Sequence, residues 1–228
     1  MEEAFPAERL EAVRARIRAA AARAGRDPAT VRLIGASKTV PLGVLAGAVR
    51  AGLADLGENR VQEAEAKAPL LRSDLTDGAG PTWHLIGHLQ SNKARKAVAL
   101  FEWIHSVDSP RLADALDRIA AELGRKPRVL VEVNTSGEAS KHGVAPEGAR
   151  ELVAHVKGLP HLSLEGLMTI GPLAGDPRNA FRMLRKQRDE AGLNELSMGM
   201  SGDFEVAIEE GATMVRVGSA LFGPRDQG

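Results

Sequence analysis

Lys38 stands where an apolar run, Val31 to Ser37 (VRLIGAS), meets a turn, Thr39-Val40-Pro41, and it is the only lysine in the first 66 residues. A cation at the end of a buried strand must be solvated, paired or chemically used. Burial lowers an amine's pKa and yields the neutral nucleophile that attacks carbonyls. Strand-end position alone favours the plain alternative, a solvated or paired lysine.

A second group of residues near the other end of the chain changes that balance. The segments MGMSGD (198–203) and VRVGSALFG (215–223) have the composition of a phosphate cradle. Ser201, ahead of FEVAIEEG, is either a plain helix N-cap or part of a helix start that offers N–H groups and a positive dipole end to an anion. Gly218 and Ser219 add backbone open to close approach and a hydroxyl. An aldehyde-reactive amine beside a phosphate site is the combination that pyridoxal 5′-phosphate requires.

Arg216 lies inside the apolar stretch MVRVG, on the face of Met214 and Gly218. A buried guanidinium keeps its charge and needs an acceptor. Either a neighbouring carboxylate such as Glu165 pairs with it, or it donates to the cofactor's pyridine nitrogen. In the second case that nitrogen stays unprotonated and the ring is a weaker electron sink. Asn59 (GENRVQEA) and His84 (WHLIG) are expected at strand ends. His84 would orient Arg216, line the ring pocket, or act as a hydrogen-bonded core histidine. His84 and His88 lie four apart on a strand-to-loop segment, which makes no helical face, so no metal is expected. Lys93, Arg95 and Lys96 read as a solvated helix face, and Lys141 as an exposed loop lysine.

These residues need a scaffold that gathers distant segments. Short apolar runs predict strands at Arg32–Ser37, Ala54–Asn59, Thr82–Gly87, Trp103–Asp108, Arg128–Asn134, Leu164–Gly171, Glu195–Met200 and Thr213–Gly218. Between them, three- and four-residue apolar spacing predicts helices at Pro41–Ala51, Arg60–Leu71, Gln90–Leu100, Pro110–Leu123, Pro146–Lys157, Asp176–Ala191 and Gly202–Glu210. A further helix, Ala7 to Ala24, precedes the first strand, its arginines expected on a solvated face. Strict alternation favours a parallel sheet covered by helices. Eight strands suggest a single-domain (β/α)8 TIM barrel spanning 1–228, with catalytic-type residues at the C-terminal strand ends and phosphate after strands seven and eight. An open doubly wound sheet is second, because GASKTVP lacks the dinucleotide glycine fingerprint. The Thr76–Pro81 loop (TDGAGP) reads as a surface excursion.

Bulk numbers exclude several functions. In 228 residues, 30 basic side chains balance 30 acidic ones, so a nucleic-acid or anionic-membrane partner is not expected. The absence of cysteine removes disulfides, thiol nucleophiles and thiolate metal sites. No apolar run approaches a membrane span, and MEEAFPAERLEAVRARIRAA lacks the apolar core of a secretion signal, so a cytoplasmic location is expected.

Taken in order, LIGASKTVP, GENRVQEA, WHLIGHLQSNKARKAV, HSVDS, VNTSGEASKHGV, EGLMTIGP and SMGMSGDFEVAIEEGATMVRVGSALFG resemble the pyridoxal phosphate homeostasis protein family over nearly the whole chain. Leu56 before Gly57 and a slightly long loop from Ser73 to Thr82 depart from the pattern, away from any proposed contact. The resemblance implies a barrel like the N-terminal domain of alanine racemase, with pyridoxal 5′-phosphate held as a Schiff base on Lys38. It implies phosphate contacts from Ser201, Gly218 and Ser219, a pyridine-nitrogen contact from Arg216, and pocket positions for Asn59 and His84. It also implies a monomer without enzymatic turnover that carries or buffers the cofactor, for PLP-dependent apoenzymes among its possible recipients, and that influences vitamin B6 and amino-acid balance.

The residues themselves agree with a carrier. Racemases of this fold use a lysine and a tyrosine, and this sequence has no tyrosine. It ends soon after Gly223, so the β-domain that covers a racemase site is not expected. The alternatives are a PLP-dependent racemase or deaminase using Lys38, and a lysine Schiff-base aldolase acting on a phosphosugar without cofactor.

Overall fold

A computed structural model of the protein describes residues 5–75, 80–138 and 141–224. Helix α1 (Ala7–Arg23) comes first. Strand and helix then alternate as β1 (Arg32–Ala36), α2 (Leu42–Arg50), β2 (Asp55–Glu58), α3 (Val61–Asp74), β3 (Thr82–Leu85), α4 (Ala94–Leu100), β4 (Trp103–Val107), α5 (Pro110–Leu123), β5 (Arg128–Glu132), α6 (Ala149–Lys157), β6 (Ser163–Met168), α7 (Arg178–Glu190), β7 (Glu195–Ser197), α8 (Phe204–Glu209), β8 (Met214–Val217) and α9 (Ser219–Phe222). All eight strands pair in parallel in sequence order, and β8 returns to β1 to close the barrel. The TIM barrel expected from the alternation is therefore the fold. Most of the TDGAGP loop lies outside the described residues.

Local signals explain the boundaries. Pro110 opens α5 behind Ser109, whose hydroxyl accepts from Leu112 N at 3.4 Å, and Gly124 ends the helix in the left-handed region at φ 61°. The helices expected from Gln90 and Pro146 start later, because their first turns are 3₁₀ at Ser91–Lys93 and Pro146–Gly148. Expected strands overran at their C-terminal ends, where the chain leaves the ladder to build the mouth. The run to Met200 stops at Ser197, and Gly199 at φ 91° cannot continue a strand.

Two apolar layers hold the barrel. The larger lies between strands and helices, with Leu45, Leu56, Leu85, Ile104, Val131, Leu167, Leu196 and Val217 among its members. The smaller plugs the barrel interior with Ile34, Trp103, Leu130, Met168 and Met214. Strands buried on both faces read as near-continuous apolar runs, which is why such runs mark all eight. At the N-terminal strand ends, the guanidinium groups of Arg32 and Arg128 lie 5.5 and 5.2 Å from the Trp103 ring centroid and close the floor. Helix α1 packs against α8 and α9. The arginines expected in solvent on α1 are partly paired, Arg16 to Glu205 at 2.6 Å and Arg23 to Glu209 at 2.8 Å. No helix among the described residues is long and apolar enough to cross a membrane.

Candidate functional site

Lys38 sits two residues beyond the end of β1, half-buried at the C-terminal mouth. The next residue, Thr39, has φ 62°, a conformation costly for a β-branched side chain. The strained turn is braced by Thr39 Oγ1, which donates to Lys38 O at 2.6 Å, and by Val40 N, which donates to Ser37 O at 3.1 Å. Ser37 itself is buried, and its hydroxyl donates to Glu58 Oε1 at 2.8 Å. Lys67 Nζ then bonds both Glu58 Oε1 (2.6 Å) and Ser37 O (2.8 Å), so a buried ion pair clamps the residue next to Lys38. Burial pushes the Glu58 carboxyl up, and Lys67 opposes that shift.

Lys38 lines a cavity of about 330 Å³ with Ala36, Pro41, Gly218, Ser219 and Phe222. Behind the lining residue Gly218, Ser201 Oγ accepts from Gly218 N (3.1 Å) and Ala220 N (3.3 Å). Ser201 therefore braces the turn between β8 and α9. It does not cap α8, whose N-cap residue is Asp203. A methyl group added at Gly218 would fill space 3.5 Å from Ala36 Cβ, so this glycine keeps the mouth open beside Lys38.

One inward position below Gly218, Arg216 is 4% exposed. Its NH1 donates to Ser197 Oγ at 2.6 Å and its NH2 to Thr169 O at 2.8 Å. Glu165, a partner considered from sequence, instead accepts from Ser163. Burial lowers the Arg216 pKa to about 10, with Glu132 and Asp203 opposing, so it stays cationic at neutral pH.

His84 is the third residue of β3, not its end, and is fully buried. Its Nε2 lies 2.9 Å from Asp55 Oδ1, and its Nδ1 lies 3.0 Å from His105 Nε2. His105 Nδ1 in turn lies 2.9 Å from Ser197 Oγ. One set of tautomers satisfies every atom. His84 donates through Nε2 to the Asp55 carboxylate, His105 donates through Nε2 to His84, and the Ser197 hydroxyl donates to His105 Nδ1 while accepting from Arg216. Burial lowers the pKa of both histidines, in keeping with neutral rings. His84 thus reaches Arg216 through His105 and Ser197. Sequence reasoning gave no role to Asp55, or to His105 and Ser197 although HSVDS and SMGMSGD contain them; the three are far apart in the chain and meet only inside the closed barrel.

Asn59 follows β2 and lines a second, larger mouth cavity of about 890 Å³ with Ile86, His88, Glu132, Lys141 and His142. The structure brings Lys38, Ser201, Gly218 and Ser219 to one side of the mouth, with Asn59 in the neighbouring cavity and His84 in the layer beneath. Glu132 is pushed up to about 7, by burial first and then by Asp108. Lys141, expected in solvent, is mostly covered, its Nζ 2.7 Å from both Glu138 Oε1 and Gly171 O. The basic cluster on α4 is paired at its exposed face, Arg95 with Glu122 and Lys96 with Glu65.

In this barrel the Lys38 amine and the Gly218–Ser219 turn share one cavity at the C-terminal mouth, with the Arg216 guanidinium buried on β8 two residues before Gly218. Residues 9–226 match the family model of the alanine racemase N-terminal domain. A relative from Pseudomonas aeruginosa named pyridoxal phosphate homeostasis protein is 48% identical, covering 97% of this chain and 96% of its own. A relative of the same name from Aquifex aeolicus is 46% identical, covering 96% and 97%. The chain belongs to the pyridoxal phosphate homeostasis protein family, built on the alanine racemase N-terminal-domain barrel. Among solved structures, PipY of Synechococcus elongatus PCC7942 with PLP bound superimposes with a TM-score of 0.81 at 42% identity, covering 95% of this chain and 99% of that one.

Proposed function

We propose that this protein binds pyridoxal 5′-phosphate at the barrel mouth, tethered as a Schiff base to Lys38. It carries or buffers the cofactor without turnover of its own, and so maintains vitamin B6 and amino-acid homeostasis. The observation that carries this reading is the placement of Lys38 across an open cavity from Gly218 and Ser219, with Ser201 bracing their turn. The PLP-bound relative supports the same cofactor.

The residues present fit the group. The cavity side at Gly218 lacks the Cβ that would fill it, and the hydroxyls of Ser219 and Ser201 stand at the same turn as polar partners for a phosphate. When bound, the cofactor supplies an aldehyde for an amine and a ring that accepts electron density. Lys38 is the covalent tether, held at the mouth by the Thr39 turn and by the Lys67 clamp on Ser37. Ser201, Gly218 and Ser219 hold the phosphate. Arg216, locked by Ser197 and Thr169, presents a donor to the pyridine nitrogen and leaves that nitrogen unprotonated. Asn59 borders the mouth, and His84 acts on the ring only through the chain to Arg216.

The sequence supports holding without turnover. Racemisation needs a second base on the face opposite the lysine, and the sequence offers no tyrosine for it.

The test is titration of the purified full chain with pyridoxal 5′-phosphate, followed in the near-visible. A saturable band that disappears in Lys38→Ala is expected, with negligible Cα-proton exchange when L-alanine or L-serine is added. An undiminished band in that variant contradicts the tether, and exchange at a useful rate contradicts the carrier.

A further inference from the structure

On the side of the mouth formed by the third to fifth strands lies a group of side chains that the cofactor reading does not use. His88 follows β3, Asp108 follows β4, and His142 sits on the return of the loop after β5. Each offers a donor atom, and these atoms all lie within 4.8 Å of one another. His88 Nδ1 is 3.4 Å from Asp108 Oδ2, and the His88 and His142 rings stack with centroids 3.8 Å apart.

The backbone places His142 deliberately. Val144 N donates to Glu132 O and Asn134 N donates to Val144 O, both at 2.9 Å, which pins the loop return against the end of β5. Gly143 between them has φ 109°, and a Cβ there would meet Asn134 N at 2.8 Å. Only glycine brings the chain this close to the strand, and it sets His142 facing His88.

A second feature points independently to a cation. Glu132 lines the same cavity of about 890 Å³ and is 4% exposed, yet its Oε2 has no hydrogen-bond partner among the described residues. A buried carboxylate oxygen without a donor is costly unless positive charge approaches it. The nearby ammonium of Lys141 is already bonded to Glu138 and to Gly171 O.

We propose that His88, Asp108 and His142 form a binding site for one divalent transition-metal ion at the barrel mouth, with an open coordination position facing the cavity lined by Glu132. Two imidazoles and one carboxylate suit zinc, cobalt or nickel, whereas magnesium and calcium prefer oxygen ligands alone. Bonds of about 2.0–2.1 Å in a tetrahedral site put ligand atoms roughly 3.3 Å apart. The two rim histidines reach that spacing by turning their rings, which replaces the stack by convergent lone pairs. The site does not depend on the cofactor reading, since none of its ligands is assigned to pyridoxal phosphate.

The experiment uses the untagged full chain, stripped with EDTA and free of pyridoxal phosphate, titrated with Zn²⁺ by calorimetry. One ion per chain is expected, with Mg²⁺ showing no comparable binding. His88→Ala and His142→Ala should each weaken Zn²⁺ binding by at least about the tenfold that losing even an outer-shell partner costs, with far-ultraviolet circular dichroism unchanged. Asp108→Asn, which keeps the shape of the side chain, should also weaken it. Lys38→Ala should leave it unaltered, which separates this site from the cofactor tether. Co²⁺ should give the intense visible bands of a four- or five-coordinate ion. No Zn²⁺ binding, equal binding by the His88→Ala/His142→Ala double variant, equally tight Mg²⁺ binding, or a weak six-coordinate Co²⁺ spectrum would each overturn the proposal.

Discussion

Arg216 NH1 lies 2.6 Å from Ser197 Oγ, and this bond is the last link of a buried chain that begins at Asp55 on the far side of the barrel. With NH2 held by Thr169 O, the guanidinium plane is fixed from two directions. The Arg216 side chain is therefore held by the protein's own groups, in line with the rule that a site works when its supporting shell is locked.

Ser197→Ala tests that link. It removes the acceptor of a buried cation and the donor to His105 Nδ1 in one step, leaving two buried polar groups unpaired. Losses of about 1–3 kcal/mol per unsatisfied group predict a large drop in the urea midpoint, together with weaker pyridoxal phosphate binding. An unchanged midpoint would contradict the hydrogen-bond chain.

The two buried histidines make stability depend on pH. Burial lowers both pKa values below the ordinary 6.5. Above that value the rings are neutral in folded and unfolded chains alike, so they place no pH dependence there. Below it the unfolded chain takes up protons that the folded barrel refuses, so stability falls as pH drops from 6.5 toward the lower folded values. Over the same window the raised Glu132 and Glu58 carboxyls act in the opposite sense, so the histidine share is read as a difference. Between pH 7.5 and 5.5, His105→Gln, whose amide can replace both hydrogen bonds, should change in stability more favourably than the unaltered chain, and an equal change in that variant would place the effect elsewhere.

The Lys67–Glu58 pair carries a further expectation. Glu58 is fully buried, and Lys67 pairs with it at 2.6 Å as well as donating to Ser37 O. Lys67→Met should cost about 3–5 kcal/mol by leaving a buried carboxylate unpaired, and adding Glu58→Gln should recover part of it. In the doubly substituted protein the fold returns while the Ser37 clamp does not, so Lys38 tethering should remain slower than in the unaltered chain. Full recovery of the tethering rate would remove Lys67 from the account of Lys38 placement.

Two glycines at the mouth should respond in opposite ways. Gly199 has φ 91°, and a Cβ there would lie 2.5 Å from Ala207 Cβ, so Gly199→Ala should destabilise the fold by about 1–3 kcal/mol or more. Gly218 has φ −111°, and its added methyl meets only an ordinary contact at 3.5 Å. Gly218→Ala should leave thermal stability nearly unchanged while cutting pyridoxal phosphate affinity. Wild-type affinity in that variant would show that the ligand lies elsewhere.

The barrel was legible because parallel strands buried on both faces leave unbroken apolar runs, and proline marked several helix starts. Arg216, in mid-strand, declared itself as a charge that needs an acceptor. The identity of that acceptor was not readable: Ser197 and Thr169 lie on other strands and reach it only when β6, β7 and β8 align. The Ser201 hydroxyl misled for a similar reason, since a cap and a brace across two loops share one local sequence. The grouping of His88 with Asp108 and His142 was invisible because three successive strand ends supply one residue each.

Lys38 itself is tested most directly by borohydride reduction of the protein loaded with pyridoxal 5′-phosphate, followed by peptide mapping. The expected result is a single reduced pyridoxyl label on the peptide containing Lys38, absent from Lys38→Ala. A label on another lysine, or none at all under saturating cofactor, would contradict the central claim.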